Sequence, residues 1–164
     1  MLDGLKKIID DLGSFDPQKE YETIIEDNAE IIVDLNRDQM MEGRGVDGEF
    51  LRPYYSENPY FKTPESAARY ARWKQKITPN PQRPLDVPNL FINGYLHGSL
   101  YGKVTGKDTL YTQFEVESDV PFAESAFRVH KNALGLNAEK RLLFAEEILL
   151  PEFLNQLKEK TGLQ

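Results

Sequence analysis

Apolar residues at Leu2, Leu5, Ile8, Ile9 and Leu12 recur at helical spacing between Lys6, Lys7, Asp10 and Asp11, so residues 2–12 read as a short amphipathic helix ended by Gly13. Its charges nearly cancel. That favours packing or an oligomer contact over a membrane surface, which would select a basic polar face. Asp16-Pro17 then opens a second helix, with a capping carboxylate and proline at the first helical position. Tyr21, Ile24, Ile25, Asn28, Ile32 and Leu35 form its inward stripe, and the pattern predicts an end near Leu35. Glu20, Glu22, Glu26 and Glu30 lie mostly off that stripe, as a solvated face.

Residues 39–52 carry Gly43, Gly45 and Gly48 between two short apolar stretches and predict a turn or irregular hairpin. Thr63-Pro64 opens a third helix that lasts to about Ile77. Tyr70, Trp73 and Ile77 share the face expected to anchor it, and Arg69, Arg72 and Lys76 share a neighbouring one. Four prolines follow within residues 78–88, which predicts an extended linker rather than a packed element. Residues 89–104 hold Gly94, Gly98 and Gly102 at four-residue intervals, marking close backbone approach, a bend or a bulge. They lead into a hairpin of roughly 95–104 paired with 109–116. A helix over 121–131 uses Phe122, Ala126, Phe127 and His130. Asn137 caps a C-terminal helical region over 138–161, with Leu142, Leu143, Ala145, Ile148 and Leu149 inward, Pro151 breaking or restarting it, and Gly162 at its end.

These elements imply an α+β chain: several helices packed on a small antiparallel β-hairpin or sheet. The 164 residues suit one domain, 1–164, with a real core. A net charge of −7, from 20 basic and 27 acidic residues, argues against a dedicated nucleic-acid binder. DNA contact through a local patch stays open but is not the primary expectation. The absence of cysteine excludes disulfides and thiolate chemistry. No apolar run is long enough for a bilayer, and the N-terminus lacks the apolar core of a signal peptide, so a cytoplasmic fold is expected.

The candidate chemistry is sparse. Asp34, Asn36 and Asp38 have the spacing of a calcium loop, but Gln39 stands where its glycine and Gly45 where its glutamate should be, so hydrogen bonding at a helix end is expected instead. Residues 102–107 lack the first glycine and the final Ser/Thr of a phosphate loop and read as a hairpin tip. His97 and His130 have no organising metal motif, and Ser99 lies two residues from His97, the minimum for a nucleophile–base pair on one strand face. No metal or cofactor is expected. Two features suggest binding. Tyr54, Tyr55, Tyr60 and Phe61 crowd a proline-bounded loop, and Arg69, Arg72 and Lys76 form a cationic stripe facing an acidic neighbour or phosphates.

Two groups of motifs carry a resemblance. The first is Asp34-Leu-Asn-Arg-Asp-Gln-Met-Met-Glu-Gly, then Asp47-Gly48, then Pro53-Tyr54-Tyr55-Ser56. The second is Pro88 to Ser99, a lead-in to a hairpin, then Leu134-Gly135-Leu136-Asn137 and Leu150-Pro151-Glu152-Phe153. In this order, over Ala29–Gly162, they resemble small virion proteins of tailed bacteriophages and prophages of Bacteroides-like hosts. The broader similarity is to the neck and tail-completion proteins that form rings between portal and tail. Asn93 departs from the threonine usual before the glycine, and the Glu57–Pro88 stretch is longer than expected. The resemblance implies a tail-completion-like fold and a non-enzymatic structural subunit of the virion, assembled from the host cytoplasm. Its partners would be further copies of itself and portal, neck or tail subunits, with no membrane. The rival expectations are a small hydrolase or nuclease centred on His97 or His130, and a monomeric phage-encoded adaptor or inhibitor.

Overall fold

Proline fixes the start of the first long helix. In the computed structural model, which describes residues 6, 10–107 and 112–162, the Asp16 carboxylate accepts from the amides of Gln18 and Lys19, and α1 runs over Pro17–Asp27. Most of the expected helix at 2–12 lies outside the described residues; residues 6 and 10–14 are helical. The predicted single helix to Leu35 is instead two. Asn28 leaves helical geometry, and its side-chain amide donates to the Ile24 carbonyl and to Glu152. The chain restarts as α2, Ala29–Met41. An asparagine that captures a carbonyl of its own preceding turn competes with the helix at that point.

α2 is the spine of the molecule. Its Val33 and Met40 are fully buried and pack with Leu100 and Val116 of the hairpin, joined by Leu90, Phe114, Phe127 and Leu134. Polar residues are interleaved with these apolar ones along the same helix. Asn36 is fully buried and donates to the carbonyls of Ala133 and Gly135 while accepting from the Gly135 amide. Gln39, also fully buried, donates to Gly135 O and accepts from the Asn137 amide. Asn36 therefore pins a distant loop from mid-helix and serves no helix end, which corrects the sequence expectation for that residue. Arg37 spans from Glu30 (2.5 Å) and Asp34 (2.6 Å) to the carbonyls of His97 (2.8 Å) and Leu100 (2.9 Å), tying α2 to the start of the hairpin.

Gly43, at φ +74°, stops α2. The Gly43 amide reaches Met40 O and the Arg44 amide reaches Gln39 O, the paired bonds of a left-handed helix cap. A single antiparallel bridge, Arg44 to Phe50, follows, so the expected irregular hairpin is present in minimal form. α3, Pro64–Ile77, starts from a Thr63 cap reciprocated by Ser66. Ala67, Ala71 and Lys74 are its buried residues, whereas Trp73 and Ile77 are about 43% and 39% exposed. The anchoring face is thus a narrow strip of small residues, offset from the aromatic face predicted. Small side chains let the helix backbone approach Tyr55 closely, and burial of that ring stabilises the contact.

The proline-rich stretch after α3 is packed, contrary to the linker expectation. Thr78, Arg83, Val87, Pro88 and Asn89 are buried, and Asp86 bonds back to the Tyr55 amide and to Ser56. Asn89 donates to Thr78 Oγ1. α4 (Tyr95–Gly98) is one turn, so residues 95–98 stay out of the sheet. β1 (Leu100–Lys107) pairs antiparallel with β2 (Thr112–Ser118), with a bulge between Val104 and Gly106. Gly102 sits under the ring of Phe114, where any Cβ would lie 2.1 Å from ring carbon Cζ. That close approach accounts for one of the three spaced glycines.

α5 (Ala123–Val129) is shorter than predicted, and Phe122 at its start is half exposed instead of inward. Asn137 caps α6 (Ala138–Phe144) as expected. A five-residue π-helical turn, Ala145–Leu149, then leads to α7, Leu150–Thr161, with Pro151 in its first turn and Gly162 at its end in the left-handed region. Phe153 stacks on Tyr21 at 4.5 Å and meets Phe15 edge-on at 5.7 Å. Lys160 pairs with Glu20, buried near the start of α1. Leu142 and Leu143 are exposed and Phe144 is buried in their place, while Ala145, Ile148 and Leu149 are partly buried as expected. The whole is α+β, about 53% helical and 11% strand, with helices packed on a two-stranded antiparallel sheet.

Candidate interaction surface

The loop before α3 separates its four aromatics. Tyr55 is buried against Ala67 and Ala71, edge-on to Phe61 and Tyr70 at 6.3 and 5.0 Å. It is core, which removes it from the expected contact set. Tyr54 lies half-buried under the Arg52 guanidinium, 4.1 Å from its ring centre. Tyr60 is 82% exposed, and Phe61, half-buried, bridges it at 5.3 Å to Tyr70 at 5.0 Å. Tyr70 in turn meets Trp73 at 5.3 Å.

A continuous aromatic ladder therefore runs from the loop tip up α3, and Lys62, Ser66 and Arg69 border the shallow groove along it. Arg72 and Lys76 continue the cationic side of α3, both exposed. The structure thus joins Tyr60, Phe61 and Arg69 in one surface, adds Tyr70 and Trp73 to it, and leaves Arg72 and Lys76 at its margin. Arg69, Arg72 and Lys76 repel one another by a few tenths of a kcal/mol per pair on an isolated helix. An exposed aromatic strip edged by arginines has the residue types that dominate binding at protein interfaces.

The histidines are placed otherwise. His97 Nε2 donates to the Asn89 carbonyl at 3.1 Å, and His130 Nδ1 donates to the Arg52 carbonyl at 2.8 Å. Burial holds both imidazoles below their ordinary pKa, and each carbonyl bond opposes that only in part. Ser99 bonds Leu96 O and Ser118 Oγ, so it is not paired with His97. Among the described residues no group of three or more His, Cys, Asp or Glu side chains is arranged to hold a metal ion. No helix among them is long and apolar enough to cross a membrane.

Lys74 has no counterpart in the sequence expectations. Only 2% exposed, its amine makes no hydrogen bond, and Arg83, 4% exposed, leaves Nε and Nη1 unpaired nearby. Burial, assisted by the Arg83 charge, pulls the Lys74 amine down to about 8. The signal was its place in line with Ala67 and Ala71, a strip too narrow to register as a buried face.

The shift has a consequence for stability. Between pH 8 and 10 the unfolded chain holds a proton on Lys74 that the folded chain gives up, so stability rises with pH over that window. The gain is at most about 3 kcal/mol. Above pH 10 the trend reverses, since burial raises Tyr55 and Tyr70, which stay neutral while their unfolded counterparts ionise. Urea midpoints measured from pH 7 to 11 are expected to peak near 10, and Lys74→Met should flatten the rise. A midpoint that falls steadily from pH 8 in the native sequence would contradict the buried amine.

No protein family, curated protein or solved structure matches this chain.

Proposed function

We propose that this chain is a structural subunit of a tailed-phage virion, a ring-forming component of the neck or tail-completion region that acts by binding and not by catalysis. The carrying observation is the aromatic ladder of Tyr60, Phe61, Tyr70 and Trp73 edged by Arg69, running from the loop tip onto α3 with Tyr60 and Trp73 exposed. The motif order over Ala29–Gly162 supplies the virion context by resemblance. The ladder's partner is the next copy: the chain carries seven more acidic than basic residues, so carboxylates are available on that copy to meet the cationic edge. Portal, neck and tail subunits would meet the finished ring. Assembly would proceed in the host cytoplasm, and the mature location is the virion.

Reversing Arg72 tests the electrostatic half of this reading. Arg72→Glu should weaken self-association at least tenfold at low ionic strength and less at high salt, because screened charges lose their partner energy in both proteins. The monomer's melting temperature should stay within about 2 °C, as Arg72 is exposed and holds no core contact. Sedimentation at two salt concentrations reads both. Unchanged association at low salt would reduce the stripe to a solvated helix face.

A further inference from the structure

We propose that the cavity enclosed by the Pro53–Phe61 loop, α3, the segment before α4 and α5 binds a small monocarboxylate with an aromatic or aliphatic body, its carboxylate taken up by the Lys74 amine. The cavity measures about 410 Å³, within the range of small-molecule sites. Tyr55, Phe61, Tyr70, Leu90, Leu96 and Phe122 contribute apolar wall, and Lys74 and His130 also border it. Among the described residues no acidic side chain lines it.

Two facts make this a site in addition to a hollow. Lys74 lines the cavity with its amine buried and without any hydrogen-bond partner, an arrangement that costs free energy unless an anion arrives. Arg83 stands close enough to add its own charge, with two guanidinium nitrogens also unsatisfied. Two buried cations with no carboxylate partner among the described residues form a concentrated positive point in an acidic protein. The amine has almost no accessible surface where it stands, so it meets a ligand by rotating about the four bonds of the lysine stem, with α3 in place. A single cation facing aromatic walls selects one negative charge joined to an apolar body; a polyphosphate or a sugar would leave most of its polar groups unpaired there.

The groups facing Lys74 all leave it as the titrating anchor. Arg83 comes from the packed proline segment, Tyr55 from the loop, Tyr70 from its own helix, and His97, held neutral by burial, from α4. His130 on the wall donates its Nδ1–H to Arg52 O, and burial outweighs that bond in disfavouring its charged form.

Calorimetric titration of the full chain with 4-phenylbutyrate and, separately, 4-phenylbutan-1-ol tests the proposal. At pH 7 the carboxylate should bind at least tenfold more tightly than the alcohol. Raising the pH to 9.5 should cost the carboxylate at least tenfold and leave the alcohol unchanged, since the carboxylate stays ionised throughout and only the amine loses its charge. Lys74→Met should remove the preference for the carboxylate; the pH series on the native sequence decides the matter should that variant fail to fold. Equal affinity for the two probes would reduce the cavity to an apolar hollow and overturn the proposal. So would binding of neither at millimolar concentration, or a carboxylate affinity indifferent to pH.

Discussion

Gly43→Ala is expected to destabilise the protein by about 3 kcal/mol or more, enough to leave a marginally stable domain substantially unfolded. Three costs coincide at this position. Its φ of +74° places a side chain in the left-handed region, worth about 1 kcal/mol against glycine. A Cβ there would lie 2.4 Å from Val87 Cγ1 and 3.0 Å from the Pro88 carbonyl oxygen. The first neighbour is a stiff β-branched side chain and the second is backbone, so neither yields cheaply. The third cost is shared: the Gly43 carbonyl accepts from the Leu51 amide at 2.8 Å, and displacement of the helix cap would loosen that crossing as well. Gly48, with φ +80° and open space around its Cβ position, is the control. Gly48→Ala should lose about 1 kcal/mol from backbone strain alone. Equilibrium unfolding in urea measures both, and equal losses for the two variants would mean that the 83–88 segment does not press on the end of α2.

That crossing also shows where the sequence was legible. Helix starts were plain at Asp16-Pro17, Thr63-Pro64 and Asn137, because a capping side chain and a missing amide proton act within one turn. The hairpin and the Gly162 stop were equally local. The break at Asn28 was less plain: its capture of the Ile24 carbonyl is local, but the same amide also donates to Glu152, far along the chain, beside the stacking of Phe153 on Tyr21. The packing of residues 78–88 depends on Gly43 leaving room for Val87, a complementarity that composition cannot express. In the C-terminal helices Phe144 took the inward place expected of Leu142 and Leu143, and the π turn that follows carries no residue signature.

The candidate surface divides the same way. Exposure of Tyr60, Arg69, Arg72 and Lys76 followed from loop and helix position. Tyr55 was lost to the core because Ala67 and Ala71 offer it a close-packed face, and Trp73 was freed for the same reason. Lys74 stayed hidden because a lysine on a helix is solvated in nearly every sequence, and only the tertiary arrangement buries this one.

Losing the aromatic ladder is expected to have a larger effect on assembly than losing any charge. Tyr60 at 82% exposed and Trp73 at 43% are the two ladder residues with most surface left to bury. Tyrosine and tryptophan at the centre of an interface commonly contribute about 2 kcal/mol each. The double change Tyr60→Ser and Trp73→Ser should therefore raise the self-association constant of dissociation by about a hundredfold or more. Neither ring is buried in the monomer's core, so its melting temperature should fall by only a few degrees. The most direct measurement is the mass of the purified chain by light scattering across a concentration series. The account predicts closed oligomers of one defined copy number for the native sequence and monomers for the double variant. A native chain that stays monomeric at every concentration, or a double variant that assembles as the native chain does, would contradict it.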